Sequence, residues 1–301
     1  KRNPYSGSLT EGVAELERVL TEAVSLRMVS DVPVGAFLSG GVDSSMIVSL
    51  MQRVSKQPVK TFSIGFDNKA YDEAPFAKAV AEYLKTDHQE LYVSEQDLLS
   101  VIPQIPDLYD EPFADSSQIP TYLVSKLAKQ KVTVALSGDG ADEFFGGYSR
   151  YFQFHKLQKL LSLPYVLRIL VAKSIVRLPV SGRLKHSLVR LAQVLGEKNT
   201  TLYQTLMSQN LHAEDLCHGA AYAAMHFPQL EALTPVENLM FFDTVSYLPG
   251  DILTKVDRAS MAVALETRIP FLDPHVFEFA WCLSEAYKLK SGSGKHILKE
   301  L

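Results

Sequence analysis

The chain has 301 residues, of which 47% are hydrophobic and 21% charged, and its formal net charge is −4. This length and composition are typical of one large globular domain, or of a domain with an appendage. The negative balance argues against a nucleic-acid platform but leaves room for a local basic face. No apolar run reaches the roughly 18–20 residues that a membrane-spanning helix needs.

The two cysteines, Cys217 and Cys282, are too few for a disulfide framework or a zinc site, and both are predicted to be buried thiols. No signal-peptide pattern is present, so we expect a cytoplasmic location. Because the sequence starts at Lys1, without an initiator methionine, we expect it to be a piece of a longer polypeptide.

Hydrophobic periodicity predicts strands that alternate with helices up to about residue 150. The strands are expected at 32–38, 59–66, 88–93 and 133–136, and the helices at 9–25, 42–54, 73–84 and 116–129. This alternation predicts an α/β fold with a parallel, doubly wound sheet. After Arg150 only helical patterns follow, at 152–161, 165–177, 184–195 and 276–283. We therefore expect an α/β core over about 9–150 and a helical part over about 151–301.

Two of these strands end in the same way. The first strand runs into Ser39-Gly40-Gly41-Val42-Asp43-Ser44-Ser45, and the fourth runs into Ser137-Gly138-Asp139-Gly140-Ala141-Asp142-Glu143. Each is a short apolar strand followed by a Ser-Gly turn and an acid at a helix start. If the two strands are parallel neighbours, both turns open into one crevice at the carboxyl ends, where open α/β sheets bind ligands.

The residues of these turns suit a polyphosphate and Mg²⁺. Glycines present consecutive N–H groups, a helix N-terminus adds partial positive charge, and serines add hydroxyl donors. Asp43 and Asp142 would repel the phosphates unless Mg²⁺ lay between them. Either acid alone is equally well explained as a helix cap. Neither a Walker A loop nor a Gly-x-Gly-x-x-Gly motif is present, and we interpret Gly294-Lys295 as a false match to the former.

Two further segments have a chemical and a structural interpretation. Gly65, after Ile64, could let a flat ring approach the backbone, or it could be an ordinary turn. In the patch from Tyr247 to Asp273, polar side chains are interleaved with apolar ones, which favours a buried ion-pair network over a substrate-facing wall. These polar residues are Lys255, Asp257, Arg258, Glu266, Arg268 and Asp273.

The loop 39–45 resembles the pyrophosphate loop (PP-loop) of ATP pyrophosphatases. The segments 136–148, 255–261 and 268–273 resemble those of glutamine-dependent asparagine synthetases, which are class II amidotransferases, in their C-terminal synthetase domain. The resemblance covers nearly the whole chain. It implies the adenine nucleotide alpha-hydrolase-like (PP-loop) type of sheet, with a helical C-terminal part and without the family's N-terminal glutaminase domain.

This resemblance implies a ligase that amidates a carboxylate at the expense of ATP, through an acyl-adenylate, with release of AMP and pyrophosphate. Aspartate is the preferred acceptor, and a sugar carboxylate of surface polysaccharide biosynthesis is the alternative. A tRNA-modifying PP-loop enzyme and a non-catalytic nucleotide-binding protein are less favoured. The implied partners are ATP, the carboxylate, ammonia, a glutaminase domain in cis and a second copy in a homodimer, with no nucleic acid and no membrane.

The resemblance also assigns residues. The pyrophosphate would be held by Ser39, Gly40, Gly41, Asp43, Ser44 and Ser45, and the adenosine by Phe37, Leu38, Ile64 and Gly65. Ser137 and Gly138 would approach the α-phosphate and ribose. Asp43 and Asp142 would carry Mg²⁺. Asp139, Asp142 and Glu143 would form the catalytic set, with Asp139 where known members have Glu.

Two departures limit what the resemblance implies, and the first is the glutaminase domain, whose first residue is a nucleophilic Cys in the family and which we expect to be missing here, where residue 1 is Lys. The family's reaction-centre lysine is expected beyond Leu301, and Lys255 is not taken as its replacement. We therefore expect that this chain cannot use glutamine and that its ammonia-dependent activity is weak or absent. In the acceptor segment 110–120, Ser116 stands near the place expected for an arginine that clamps aspartate.

Overall fold

The computed structural model of the chain describes residues 3–69, 72–196, 202–207, 228–290 and 292–301. Its contacts divide the chain into two compact units. Unit 1 comprises residues 1–147 and 243–301, and unit 2 comprises residues 148–242. Cys217 lies outside the described residues, and Cys282 is a free thiol that is only partly buried.

Unit 1 contains a sheet of five parallel strands in the order β3-β2-β1-β4-β5. The strands are β1 Val34–Phe37, β2 Lys60–Phe66, β3 Asp87–Val93, β4 Val134–Leu136 and β5 Glu266–Arg268. The predicted parallel α/β fold is confirmed. The expectation of no strand after residue 150 is wrong, because β5 pairs with β4 from within the last part of the chain. Its three residues are too few to show a strand periodicity in the sequence.

The helices of unit 1 cover both faces of this sheet. They are α1 Leu9–Arg27, α2 Val42–Val54, α3 Ala74–Leu84, α4 Glu95–Val101, α5 Ile105–Tyr109, α6 Gln118–Lys129, α7 Ala141–Phe145, α13 Thr254–Met261, α14 Pro274–Cys282, α15 Glu285–Lys288 and α16 His296–Glu300. A π-helical segment, Asp243–Leu253, precedes α13. Ser94, a predicted N-cap, forms a capping box with Asp97 at the start of α4.

Helices cover both faces of the sheet, so successive residues of a strand pack into opposite apolar layers. Ala36 of β1 belongs to the larger apolar core, which contains Leu16 of α1 and Ile47 of α2. The next residue, Phe37, packs against a second cluster, which contains Ala128 of α6. The short strand β1 is therefore sandwiched between two helical layers, and its carboxyl end is held in a fixed position.

Unit 2 is helical in the residues that the structure describes. Its helices are α8 Ser149–Leu161, α9 Tyr165–Val176, α10 Gly182–Gly196, α11 Leu202–Met207 and α12 Pro235–Phe242. Across the described parts of both units, no helix combines the length and apolarity needed to cross a membrane.

The patch from Tyr247 to Asp273 contains a bracing network, as one of its two interpretations predicts. Asp273 accepts a hydrogen bond from the His275 N–H at 2.9 Å and caps α14, while its second oxygen binds Arg27 of α1 at 2.8 Å. Arg268 of β5 donates to the carbonyl oxygens of Arg27 and Val29 at 2.9 and 2.8 Å. These contacts connect β5 and α14 to the end of α1.

Replacing Asp273 by alanine should lower the free energy of unfolding by about 2–4 kcal/mol, because the change removes a helix cap and leaves the half-buried Arg27 without its carboxylate. Burial acts to raise the pKa of Asp273, but the hydrogen bonds from Arg27 and His275 outweigh it and lower the pKa. Denaturant titration measures the effect. The matched control is Asp87→Ala at an exposed ion pair, where a loss within about 0.5 kcal/mol is expected. Equal losses in both variants would contradict the bracing role.

Candidate active site

The two Ser-Gly turns face each other across one crevice. Strands β1 and β4 are hydrogen-bonded neighbours, with Ala36 opposite Leu136, so both turns leave the sheet at the same edge. The backbones come so close that a Cβ atom on Gly138 would lie 2.8 Å from the backbone nitrogen of Ser44. The prediction that both turns open into one crevice is confirmed.

The first turn is organised as an anion-binding loop. Gly40 has φ of 78°, and a side chain there would collide with the backbone of Ala77. The Ser39 hydroxyl accepts a hydrogen bond from the Gly41 N–H at 3.2 Å and lies 3.0 Å from the Ser44 hydroxyl. No side chain caps the N-terminus of α2, so its N–H groups and partial positive charge remain available to an anion.

The second turn holds a partly buried carboxylate. The Ser137 hydroxyl donates to Asp139 at 2.5 Å. Burial raises the pKa of Asp139, whereas the hydrogen bond from Ser137 and the charge of Lys255 act in the opposite direction. Gly140, with φ of 88°, then allows the chain to enter α7. Asp139 is thus positioned behind the crevice edge and is sensitive to any charge that enters it.

A lysine joins the two predicted Mg²⁺ ligands. The Lys295 ammonium contacts an oxygen of Asp43 and lies 2.7 Å from Oδ1 of Asp142. Burial alone would lower the pKa of Lys295, but the two carboxylates outweigh it and raise the pKa. The lysine is therefore a fixed positive charge between two acids that come from opposite turns.

Asp43 is held in an unusual environment. Burial raises its pKa from 3.8 to about 6; Lys295 opposes this shift, while Asp142 and Asp139 add to it. One of its oxygens, Oδ1, is buried and has no hydrogen-bond partner. A cation at this oxygen would relieve the cost of burying it unpaired.

Asp43 and Asp142 suit a Mg²⁺ ion that takes its other ligands from phosphate and water. Within the described part of the chain, no group of three or more His, Cys, Asp or Glu side chains is arranged as a metal site. Mg²⁺ in nucleotide enzymes is commonly held by one or two carboxylates, with phosphate oxygens and waters as the other ligands. Asp43 and Asp142 can supply the two carboxylates, so the donor set suits a metal that arrives with a polyphosphate.

Two glycines make room for this cluster. A Cβ atom on Gly147 would lie 1.7 Å from Oδ1 of Asp142, and one on Gly294 would lie 2.1 Å from the carbonyl oxygen of Gly146. The loop before α16 therefore packs directly on the end of α7. The Lys295 N–H adds a hydrogen bond to the Phe145 carbonyl at 3.0 Å, which fixes the position of the lysine.

The remaining predicted site residues differ in how far they are buried and in what they contact. Leu38 is buried in the core, and Phe37 and Ile64 are partly buried. Gly65 does accommodate a flat ring, but it is the ring of Tyr92, 2.5 Å from where its Cβ would stand. The Ser45 hydroxyl is buried without a hydrogen-bond partner. Glu143 is completely buried, so its catalytic assignment stays a prediction.

A second polar cluster joins α13 to the segment 110–120. The Lys255 ammonium binds Asp115 and the Ser117 hydroxyl, each at 2.9 Å, and its charge also acts on Asp139. Arg258 pairs with Asp110. Lys255 and Arg258 are thus each held by a carboxylate of the segment 110–120.

Lys295 is the site residue that the sequence analysis missed. Gly294-Lys295 does not match the Walker A motif, and the family resemblance places the reaction-centre lysine downstream of the segment 294–298. One signal in the sequence could have identified it: two acids predicted to converge require a nearby cation, and a Gly-Lys pair stands directly before a helical segment.

Comparison with known proteins agrees with this geometry. The family model described as Asparagine synthase matches residues 15–301. The chain belongs to the asparagine synthase family. It is 34% identical over 293 residues to Asparagine synthetase (glutamine-hydrolyzing) 1 of Bacillus subtilis, covering 96% of this chain and 46% of that protein. It is 38% identical over 271 residues to a putative asparagine synthetase 2 of Methanocaldococcus jannaschii, covering 86% of this chain and 51% of that protein.

The chain thus spans about half the length of the curated relatives that it matches. Among solved structures, an NH3-dependent NAD synthetase of Campylobacter jejuni has a TM-score of 0.32 at 16% identity, covering 64% of this chain and 98% of that one. That likeness is too low to bear on the site.

The raised pKa of Asp43 makes a prediction about stability. The native protein holds the Asp43 proton more tightly than the unfolded chain does. The stabilisation of the native state by this proton is therefore complete below about pH 4 and is lost as the pH rises through about 6. The unfolding free energy of the wild type minus that of Asp43→Asn should therefore fall by up to about 3 kcal/mol between pH 4 and pH 7. Denaturant titrations along this pH series measure it, with Asp31→Asn at an exposed site as control. A difference that stays flat would contradict the burial of this charge.

Proposed function

We propose that this member of the asparagine synthase family amidates a carboxylate at the expense of ATP, with release of AMP and pyrophosphate. The observation that carries the proposal is the convergence of Asp43, Asp142 and Lys295 at the carboxyl ends of two adjacent parallel strands. Family membership supports the same reaction, and the relatives' printed names support aspartate as the acceptor and glutamine as the nitrogen source.

The first turn is proposed to hold the departing pyrophosphate. Its serine hydroxyls and the open N-terminus of α2 can donate to phosphate oxygens, because the hydrogen bonds they now make are within the loop itself. An anion that replaces these internal contacts gains the charge of the helix end. Adenosine is assigned to Phe37, Leu38, Ile64 and Gly65, next to this loop.

Lys295 is proposed to stabilise the negative charge that develops on the phosphates and on the reacting carboxyl group. Its ammonium is buried, charged and fixed between two carboxylates before substrate arrives, so it needs little reorganisation in the transition state. Bound Mg²⁺ would neutralise phosphate charge and favour loss of pyrophosphate. Asp43 and Asp142 would hold that ion, and Asp43 would have to be ionised to do so.

The second turn is proposed to face the activated carboxyl group. Ser137 and Asp139 form a partly buried hydrogen-bonded pair there, and Lys255 connects this pair electrostatically to the acceptor segment. The acceptor would therefore lie between the second turn and residues 110–120. Because Lys255 and Arg258 already have carboxylate partners, recognition of a free amino acid would involve exchange of these ion pairs.

The sequence-based expectation of weak or absent ammonia-dependent activity stays a prediction, and the position of Lys295 supports the opposite one. That expectation rested partly on a reaction-centre lysine lying beyond Leu301, and Lys295 now occupies a position that suits that role. We therefore expect the protein to form AMP from Mg²⁺-ATP when ammonia and aspartate are supplied. The rate of AMP formation is compared with aspartate and with a uronic acid at equal concentration. This comparison tests aspartate as the acceptor against the sugar-carboxylate alternative.

Replacing Lys295 by methionine should lower the rate of AMP formation at least about 100-fold, because a preorganised charge contributes several kcal/mol to the transition state. Lys299→Met, at an exposed position of α16, is the matched control and should keep the wild-type rate. Chromatographic separation of AMP, ADP and ATP measures the product. Release of ADP in place of AMP, or an unchanged rate in Lys295→Met, would contradict the proposed reaction.

A further inference from the structure

The strongest local charge asymmetry of the chain lies in unit 2. Residues 148–196 contain nine lysines and arginines and no aspartate or glutamate, although the whole chain has a net charge of −4. This stretch comprises α8, α9 and α10 and belongs to unit 2, whereas Asp43, Asp142 and Lys295 belong to unit 1. A local basic face of this kind attracts an anionic partner.

Helix α9 in this stretch buries an arginine and exposes aliphatic side chains. Arg168 and Ala172 are its buried residues, whereas Val166 and Leu170 are 68% and 56% exposed. The buried Arg168 guanidinium lies 5.5 Å from the centre of the Tyr165 ring. A helix on a water-facing surface normally turns its apolar side inward, so the outward face of α9 is suited to an environment other than water.

The outward face combines apolar and cationic side chains in one stripe. Val166, Leu170, Lys173 and Arg177 follow the spacing i, i+4, i+7 and i+11, which places them on one side of the helix, opposite Arg168 and Ala172. All four are exposed.

Three further exposed residues, Leu178, Leu184 and Lys185, follow the stripe in sequence. We call the four residues of the stripe, Val166, Leu170, Lys173 and Arg177, the α9 face.

We propose that the α9 face docks on an anionic membrane surface, with its valine and leucine side chains inserted at the headgroup level and its cations on lipid phosphates. Exposed aliphatic side chains can enter the boundary between headgroups and acyl chains, while neighbouring lysines and arginines can pair with anionic headgroups. A nucleic acid would use the cations but would leave the aliphatic side chains in water. A symmetric contact between two copies would place this acid-free face against itself and bring like charges together.

Docking of the α9 face differs from the expectation of no membrane partner, which rested on the absence of a spanning segment. Docking of this kind needs neither a spanning helix nor a basic protein. It depends only on the α9 face and is independent of the chemistry proposed for unit 1.

The test is co-sedimentation of the whole chain with lipid vesicles. We expect binding to vesicles of phosphatidylcholine with about one-third phosphatidylglycerol, much weaker binding to pure phosphatidylcholine, and weakening by salt. Lys173→Gln with Arg177→Gln should reduce the affinity about 25-fold, at about five-fold for each cation. Val166→Gln with Leu170→Gln should reduce it at least about ten-fold, because the inserted side chains are lost.

Matched controls use exposed residues of unit 1. Lys56→Gln with Lys131→Gln removes two exposed cations, and Tyr83→Gln removes an exposed apolar side chain; both should bind as the wild type does. Circular dichroism confirms that each variant is folded. The proposal is overturned if anionic vesicles fail to bind, if the α9 variants bind like their controls, or if the same variants instead abolish RNA binding or self-association without any vesicle binding.

Discussion

The ammonium of Lys295, held between Asp43 and Asp142, is the interaction on which the candidate site depends. The three residues belong to three distant parts of the sequence, and each is brought there by a different element: the start of α2, α7, and the loop before α16. Without the lysine, two carboxylates would be buried close together and would repel each other. With it, one of them still has a pKa of about 6, so the cluster retains a strong tendency to accept a further cation.

This cluster requires backbones that approach one another closely. Gly138 lies against Ser44, Gly147 against Asp142, and Gly294 against the carbonyl of Gly146. Each contact excludes even a methyl group, so the sequence of the two turns is constrained by packing as well as by chemistry. The bracing of β5 and α14 by Arg268 and Asp273 keeps the neighbouring edge of the sheet in register.

The sequence was sufficient to predict the parallel α/β sheet and the meeting of the two turns, because strand periodicity, glycine turns and the rule that ligands bind at carboxyl ends are local or topological signals. It did not predict β5, whose three residues show no periodicity. It also placed residues 243–301 with the helical part, whereas they belong to the sheet-containing unit. Lys295 was missed because its role depends on a long-range contact with Asp43 that no local pattern encodes.

The central claim is that Asp43 must lose its proton when Mg²⁺-ATP binds. Calorimetry of Mg²⁺-ATP binding at pH 6, in buffers of different ionisation enthalpy, measures the protons released on binding. The account predicts that the wild type releases about half a proton more than Asp43→Asn, and that this difference disappears at pH 8. Equal proton release by the two proteins at pH 6 would contradict the account.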